Sequence, residues 1–153
     1  MRLWLFRIRG NPDKTQFNEN SKIPAKAEFF PELNHNETLG WSGSTQLTNN
    51  LGVTLIRSDE EPAEIRARIE VTRKLVFDKR AGRVLEIRAK GTGKLEQMLA
   101  AMYVGDFASF YLGILYGIDH TPTPIIDELK TQLEVRLSKA TELRKRVERL
   151  KTA

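Results

Sequence analysis

The sequence predicts a three-layer α/β fold, with helices on both faces of a mainly parallel sheet and a helical extension at the C-terminus. Three apolar segments are expected to form strands, at residues 3–9, 51–57 and 82–89. Helical patterns separate these segments and leave no place for hairpins, so the strands are expected to run parallel. The length of 153 residues, 40% of them hydrophobic and 29% charged, suits one compact soluble domain.

The first half of the chain alternates between clear and weak signals. After the first strand, the turn sequence Gly10-Asn11-Pro12-Asp13 supplies a cap for a helix over residues 14–22, which Pro24 must end. Residues 28–50 are rich in Gly, Asn and Thr and are expected to form a loop with one short helix. The second strand is continuous in Val, Leu and Ile, which is typical of a buried parallel strand.

The second half contains the longest predicted helices. The segment Ser58-Asp59-Glu60-Glu61-Pro62 combines a cap, acidic residues and a proline, and predicts a helix that runs to about residue 77. Beyond the third strand, residues 98–118 are almost wholly apolar and about as long as a membrane span. A helix buried on all sides in a globular core is the favoured interpretation, so no membrane partner is expected. A last helix is predicted from Ile125 onward.

The basic surplus of the chain is local. The 25 Lys and Arg exceed the 20 Asp and Glu by five, and residues 130–153 alone hold eight basic and three acidic residues. A nucleic-acid binder spreads its basic side chains over a docking face. Because this surplus is confined to the terminal helix, no nucleic-acid partner is expected.

Composition excludes several kinds of site. The chain has no cysteine and two histidines, which excludes disulfide scaffolds, thiolate metal sites, cysteine nucleophiles and the histidine clusters of metal-dependent sugar isomerases. The absence of cysteine fits a reducing compartment. Arg7 and Arg9 interrupt the apolar N-terminal run, so no signal-peptide core is present, and a cytoplasmic location is expected.

Four sequence strings carry a specific resemblance. They are Asn18-Glu19-Asn20-Ser21-Lys22-Ile23-Pro24-Ala25, Phe30-Pro31-Glu32-Leu33-Asn34-His35-Asn36-Glu37, Tyr103-Val104-Gly105-Asp106-Phe107 and Gly117-Ile118-Asp119-His120-Thr121-Pro122. In their order and spacing, from about residue 15 to 133, they resemble the bifunctional phosphoglucose/phosphomannose isomerases. The match lies in the second of that family's two sugar-isomerase (SIS) domains.

The resemblance implies a fold and an activity. The fold is a three-layer αβα SIS domain over residues 1–133, followed by a helical basic tail over residues 134–153. The activity is the interconversion of glucose 6-phosphate or mannose 6-phosphate with fructose 6-phosphate through a cis-enediol, without metal or cofactor. Such chemistry needs a carboxylate that moves a proton between two carbons, a group that opens the sugar ring, and a cation near the charged oxygens.

Carried over residue by residue, the resemblance implies three catalytic residues. Glu19 is the base, His35 opens the ring from a neighbouring subunit, and Lys130 is the electrostatic helper. A sugar phosphate substrate and a homodimer are implied partners. From the residues alone, Glu19 could be a solvated helix residue, His35 a surface histidine, and Lys130 a charge that favours the helix dipole or solvent.

Three alternatives remain open. The family's first SIS domain, which holds the sugar phosphate, is missing from the resemblance. A separate chain could supply it, a homodimer could substitute for it, or the protein could be a non-catalytic SIS-like module that binds sugar phosphate or a partner. A heptad seam predicts either a short coiled coil or partner-binding helix, or an amphipathic helix packed on its own domain. Its members are Leu129, Leu133, Ala140, Leu143, Val147 and Leu150.

The segment Ser42-Gly43-Ser44-Thr45 is interpreted as a polar loop rather than a phosphate-binding loop, because it precedes a strand and does not connect a strand to a following helix.

Overall fold

A computed structural model describes residues 2–6 and 13–151 of the chain. Its strands are β1 (Arg2–Phe6), β2 (Ala25–Glu28), β3 (Leu51–Arg57) and β4 (Arg83–Arg88). Its α-helices are α1 (Asp13–Asn20), α2 (Glu32–Asn36), α3 (Thr45–Thr48), α4 (Ala63–Thr72), α5 (Asp78–Arg80), α6 (Lys94–Leu115), α7 (Pro124–Leu137) and α8 (Lys139–Lys151). A 3₁₀ turn (Thr38–Ser42) follows α2, and a π turn (Arg73–Phe77) joins α4 to α5. The chain forms two compact units, one ending at His120 and the other beginning at Thr121.

The four strands form one parallel sheet in the order β2-β1-β3-β4. Every strand-to-strand connection is therefore a crossover that includes helices, as parallel pairing requires. β3 is buried along its whole length, in agreement with its continuous apolar sequence. β2 and β4 are the edges of the sheet.

Apolar side chains pack on both faces of the sheet. On one face, Val53 and Leu55 of β3 pack with a cluster from α2, the 3₁₀ turn, α4 and the π turn. On the other face, Ile56 packs with Phe17 of α1 and Ala101 of α6. Since successive side chains of a strand point to opposite faces, the sheet lies between two helical layers. We call them the α2/α4 layer and the α1/α6 layer. The predicted three-layer fold is confirmed.

The sequence-based assignment missed β2. Its four residues are Ala25, Lys26, Ala27 and Glu28, which have little intrinsic preference for a strand. β2 exists because it pairs with β1 along its length, which is a tertiary effect. Residues 28–50 contain two short α-helices and a 3₁₀ turn where one short helix was predicted. The predicted first strand extended to residue 9, and its last three positions lie outside the described residues.

The helix α6 is not buried on all sides, so this prediction is wrong. Its buried side chains recur every four residues: Gln97, Ala101, Ser109, with glycines at positions 105 and 113. Small residues on this stripe allow a close approach to α1, so the large apolar residues of the helix point outward. Among the described helices, α6 is the one that is long and apolar enough to cross a membrane. The core helices of soluble proteins also meet this criterion of length and composition.

The second unit consists of α7 and α8. Ser138 separates them with a left-handed backbone conformation, φ 47°, which ends α7. The heptad seam predicted across this point is therefore divided between two helices, and a single uninterrupted coiled coil is not what the chain forms. Lys130 lies on α7 and is exposed. The domain boundary predicted after residue 133 stays a prediction.

Candidate active site

Asn18 ties the end of α1 to the start of β2. Its side-chain Oδ1 accepts a hydrogen bond from the backbone N–H of Ala25 at 3.0 Å, and its Nδ2 donates to the carbonyl of Lys14 at 2.9 Å and, more weakly, to that of Ala25 at 3.4 Å. An asparagine side chain carries both a donor and an acceptor, so it can pair with both backbone groups of one residue. This explains why an asparagine precedes Glu19.

Asn20 ties the same end of α1 to α6. Its Nδ2 donates to Oγ of Ser109 at 2.9 Å and to Oε1 of Gln16 at 3.2 Å. The hydroxyl of the fully buried Ser21 donates to the carbonyl of Ser109 at 2.9 Å. The two asparagines around Glu19 are therefore fixing points, one on the sheet and one on the neighbouring helix.

His120 completes this arrangement, and its role was missed by the sequence analysis. Its Nδ1 lies 2.7 Å from the carbonyl oxygen of Asn20, and its ring stacks on Phe110 with centroids 4.4 Å apart. The ring fits against Gly113, where an added Cβ would overlap Cε1 and Nδ1 of the imidazole. A signal was available: the histidine stands one residue before the Thr-Pro turn of a string used for the resemblance. We refer to Asn18, Asn20, Ser109 and His120 together as the α1 clamp.

The carboxylate of Glu19 is exposed, although the backbone around it is held on both sides. The Nζ of Lys22 donates to the carbonyl of Glu19 at 2.8 Å and to that of His120 at 3.2 Å. A proton-transferring group must reach substrate while its backbone stays in place. Glu19 meets both conditions, because the clamp uses only neighbouring side chains and backbone atoms.

His35 lies on α2 and lines an open cleft of ≈410 Å³. We call this the His35 cleft. Its polar side chains are Asn34, His35, Thr38, Ser42 and Arg80. Trp41 forms the apolar floor and packs edge-on against Phe77, with ring centroids 5.1 Å apart. The imidazole is exposed, so it can contact a molecule that is not part of its own chain.

The sheet separates Glu19 from His35 within one chain. Glu19 belongs to the α1/α6 layer, where Phe17 of the same helix is part of the core. His35 belongs to the α2/α4 layer, where Leu33 of the same helix is fully buried. Helices that pack on opposite faces of a sheet have the sheet between them. One chain therefore cannot bring both side chains to the same pair of carbon atoms. Lys130, the third predicted residue, lies in the second unit.

A second cleft, of ≈510 Å³, lies where β3 and β4 end. There Nε and Nη2 of Arg57 each bond a carboxylate oxygen of Glu61 at 2.7 Å, and both side chains are almost fully buried. The hydrogen bonds to Glu61 raise the pKa of Arg57. Burial alone would raise the pKa of Glu61, but the bonds from Arg57 and the Ser58 N–H outweigh it and hold that pKa below its usual value. Arg57 and Glu61 are thus paired with each other, while Glu60 and Lys94 also line this cleft.

Metal-ligating side chains are scattered in the part of the chain that the structure describes. No group of three or more His, Asp or Glu residues is placed there to hold a metal ion.

Comparison with known proteins identifies the family. Residues 7–133 match the model of the bacterial phospho-glucose isomerase C-terminal SIS domain. The bifunctional phosphoglucose/phosphomannose isomerase of Aquifex aeolicus is 34% identical over 123 residues, which are 79% of this chain and 37% of that protein. The enzyme of the same name from Caldicellulosiruptor bescii is 35% identical over 120 residues, 78% of this chain and 35% of that protein. The chain thus spans little more than a third of these relatives.

A solved structure shows the same fold. The glucose-6-phosphate isomerase-like protein from Thermus thermophilus superimposes with a TM-score of 0.62 at 21% identity, covering 81% of this chain and 43% of that one. This likeness supports the fold, and the family model covers most of the sequence. The chain therefore belongs to the bacterial phospho-glucose isomerase family, as a C-terminal SIS domain.

Proposed function

We propose that this chain is the half of an aldose–ketose isomerase that carries the proton-transferring residues, acting on glucose 6-phosphate or mannose 6-phosphate and fructose 6-phosphate. The observation that carries the proposal is the α1 clamp, which holds the backbone of Glu19 from two sides and leaves its carboxylate exposed. The relatives named above are isomerases of these two sugar phosphates.

In the proposed mechanism, Glu19 removes the proton from C2 of the open-chain aldose. The carbonyl oxygen at C1 takes up the electron pair and then the proton of the C2 hydroxyl, so that a cis-enediol intermediate forms. The same carboxyl group returns its proton to C1 as the carbonyl forms at C2, and the ketose results without a metal. Negative charge develops on the two oxygens during this transfer, and Lys130 would stabilise it. The imidazole of His35 would move the proton that opens and closes the sugar ring.

This mechanism requires a second molecule, because the sheet lies between Glu19 and His35 of one chain. A homodimer in which His35 of one copy meets Glu19 of the other satisfies the requirement, and a chain that carries the first SIS domain could complete the sugar-phosphate site. The outer face of α6, next to α1, supports such an association. Tyr103, Phe107 and Tyr111 are each more than half exposed there and form a ladder with centroids 6.1 and 6.3 Å apart. Contiguous exposed apolar side chains on a protein surface often mark contact sites.

The first test is the isomerisation of fructose 6-phosphate by the purified chain, alone and with a first-SIS-domain chain. The Glu19→Gln variant is expected to lose about 10²–10⁴-fold in rate, the usual contribution of a general base. Glu64→Gln, at another exposed carboxylate, is the matched control and should keep full activity. Unchanged turnover in the Glu19 variant would refute the assignment.

Subunit mixing tests the shared site. Glu19→Gln and His35→Asn chains should each be inactive. After random mixing, about a quarter of the wild-type activity should return, because half of the dimers then hold one complete site out of two. Mixtures that stay inactive although mass measurements show mixed dimers would contradict a site shared between copies.

The second candidate function is a non-catalytic SIS-like module that binds a sugar phosphate or a partner chain. The separation of the two predicted residues favours it, since the exposed side chains of Glu19 and His35 belong to helices on opposite faces of the sheet. Absence of isomerase activity, both alone and with a first-SIS-domain chain, would decide for this candidate.

A further inference from the structure

The His35 cleft has an unbalanced charge. Arg80, at the end of α5, lines it, and none of the described Asp or Glu residues does. Within the described residues, Arg80 makes no hydrogen bond or ion pair, whereas Arg57, Arg73 and Arg88 each lie against carboxylates. An unpaired guanidinium beside an imidazole favours an anionic ligand, and its planar fork matches the oxygens of a phosphate.

The same cleft also presents hydrogen-bond acceptors. The hydroxyl of Ser42 donates to the carbonyl of Leu39 at 2.7 Å, and that of Thr38 donates to the carbonyl of Leu33 at 3.1 Å. Each hydroxyl proton is thereby used, so the oxygens remain as acceptors. Oδ1 of Asn34 is the buried side-chain atom of the described residues that lacks a partner. These acceptors suit a ligand with hydroxyl groups of its own.

We propose that the His35 cleft binds the phosphate monoester of a polyhydroxy ligand, with Arg80 as its main phosphate contact. The cleft volume of ≈410 Å³ lies within the usual range for small-molecule sites. The choice of a sugar phosphate as the ligand rests on the proposed function. For this chain, the site would supply a phosphate contact from the same subunit that supplies His35. The cleft at the ends of β3 and β4 is not equivalent, since Glu61 already occupies the guanidinium of Arg57 and a second carboxylate, Glu60, lines it together with Lys94.

The two histidines of the chain provide the test. Their Cε1 protons give separate NMR signals, and His120 is packed in the α1 clamp, in the other layer. Titration with fructose 6-phosphate at millimolar concentrations should move the His35 signal and leave the His120 signal in place. Inorganic phosphate should bind about tenfold more weakly than fructose 6-phosphate, because it lacks the hydroxyl groups that would contact the cleft. Fructose should have no effect, because it lacks the charged phosphate that would contact Arg80.

Two variants decide the role of Arg80. Arg80→Gln should weaken binding of fructose 6-phosphate about tenfold or more, as expected for one charge-assisted hydrogen bond. Lys79→Gln, at an exposed neighbour that does not line the cleft, should bind as the wild type does. An unmoved His35 signal, or wild-type binding by the Arg80 variant, would overturn the proposal. Inorganic phosphate binding as tightly as fructose 6-phosphate would overturn its sugar part.

The Glu19→Gln variant separates this proposal from the proposed function. It retains Arg80, so it should bind fructose 6-phosphate while failing to isomerise it. Binding without turnover in the wild type would support the cleft and contradict the isomerase. Turnover by the wild type, together with unchanged fructose 6-phosphate binding by Arg80→Gln, would support the isomerase and contradict the role of the cleft.

Discussion

The two helical layers of the sheet are held in different ways. The α2/α4 layer is filled by large side chains, among them Leu33, Trp41 and Phe77, and is closed at one end by the buried ion pair of Arg57 and Glu61. The α1/α6 layer has a smaller cluster, in which Phe17 of α1 and the partly buried Leu112 of α6 are the large side chains, and it is joined by the hydrogen bonds of the α1 clamp. Large cores stabilise through buried area, whereas close contacts between small residues and directed hydrogen bonds fix positions. Glu19 is on the layer that is fixed in position.

The largest expected effect concerns the ion pair of the α2/α4 layer. Glu61→Gln leaves the buried guanidinium of Arg57 without its main partner, which should lower the free energy of unfolding by about 3–5 kcal/mol. Urea denaturation measures this change. Glu60→Gln, at the exposed neighbour, should stay within about 0.5 kcal/mol, and equal effects of the two substitutions would contradict the importance of the pair.

The same pair sets a pH dependence. Because the pKa of Glu61 is lowered in the folded chain, its stabilisation is complete above the ordinary pKa near 4.5 and is lost as the pH falls through the lowered value. The wild type should therefore lose stability on acidification below about pH 4.5 more steeply than Glu61→Gln. Parallel curves for the two proteins would show that other groups cause the loss.

A smaller effect is expected for close packing in the α1/α6 layer. Gly113→Ala adds a Cβ that overlaps the ring of His120 and lies 2.9 Å from the carbonyl oxygen of Asn20, so it should cost about 1–3 kcal/mol of stability. Gly40→Ala is the matched control, since nothing lies within 4 Å of a Cβ there. If both variants unfold at the same urea concentration as the wild type, the close packing of α6 does not require its small residues.

The smallest effect on stability is expected for the hydrogen bond of His120. His120→Phe preserves a ring against Phe110 and removes the bond to Asn20, and it should lower the free energy of unfolding by about 0.5–1.5 kcal/mol. If the clamp positions Glu19, this variant should lose more in kcat than in the KM for fructose 6-phosphate. A change confined to KM would place His120 in substrate binding and not in the positioning of Glu19.

Much of the fold could be predicted, because it depends on local patterns. The apolar run of β3 gave its bounds correctly, and the alternation of strands and helices gave the parallel sheet. β2 could not be found, since Ala-Lys-Ala-Glu forms a strand only beside β1. The packing of α6 was misjudged because its largest apolar side chains face outward and its smallest ones inward, and hydrophobicity does not show that choice.

The sequence indicated which residues belong to the candidate site, but not how they are arranged in space. The strings around Glu19 and His35 identified the family, but not that the two residues lie on opposite faces of the sheet. The α1 clamp joins Asn20 to His120, which is 100 positions away along the chain. Neither residue has a pattern that would point to the other. Contacts of this range come from the packing of α1 on α6, and the three-dimensional structure was needed to see them.

The edge strand β2 also bears on how the protein behaves at high concentration. An open strand edge can recruit strands from other molecules and start fibrils. β2 is four residues long, and the ammonium of Lys26 lies 2.7 Å from the carboxylate of Glu28 and 2.5 Å from that of Glu37. A strand added at this edge would have to desolvate these charges. We therefore expect the chain to resist edge-to-edge aggregation, and Lys26→Val with Glu28→Val to promote it.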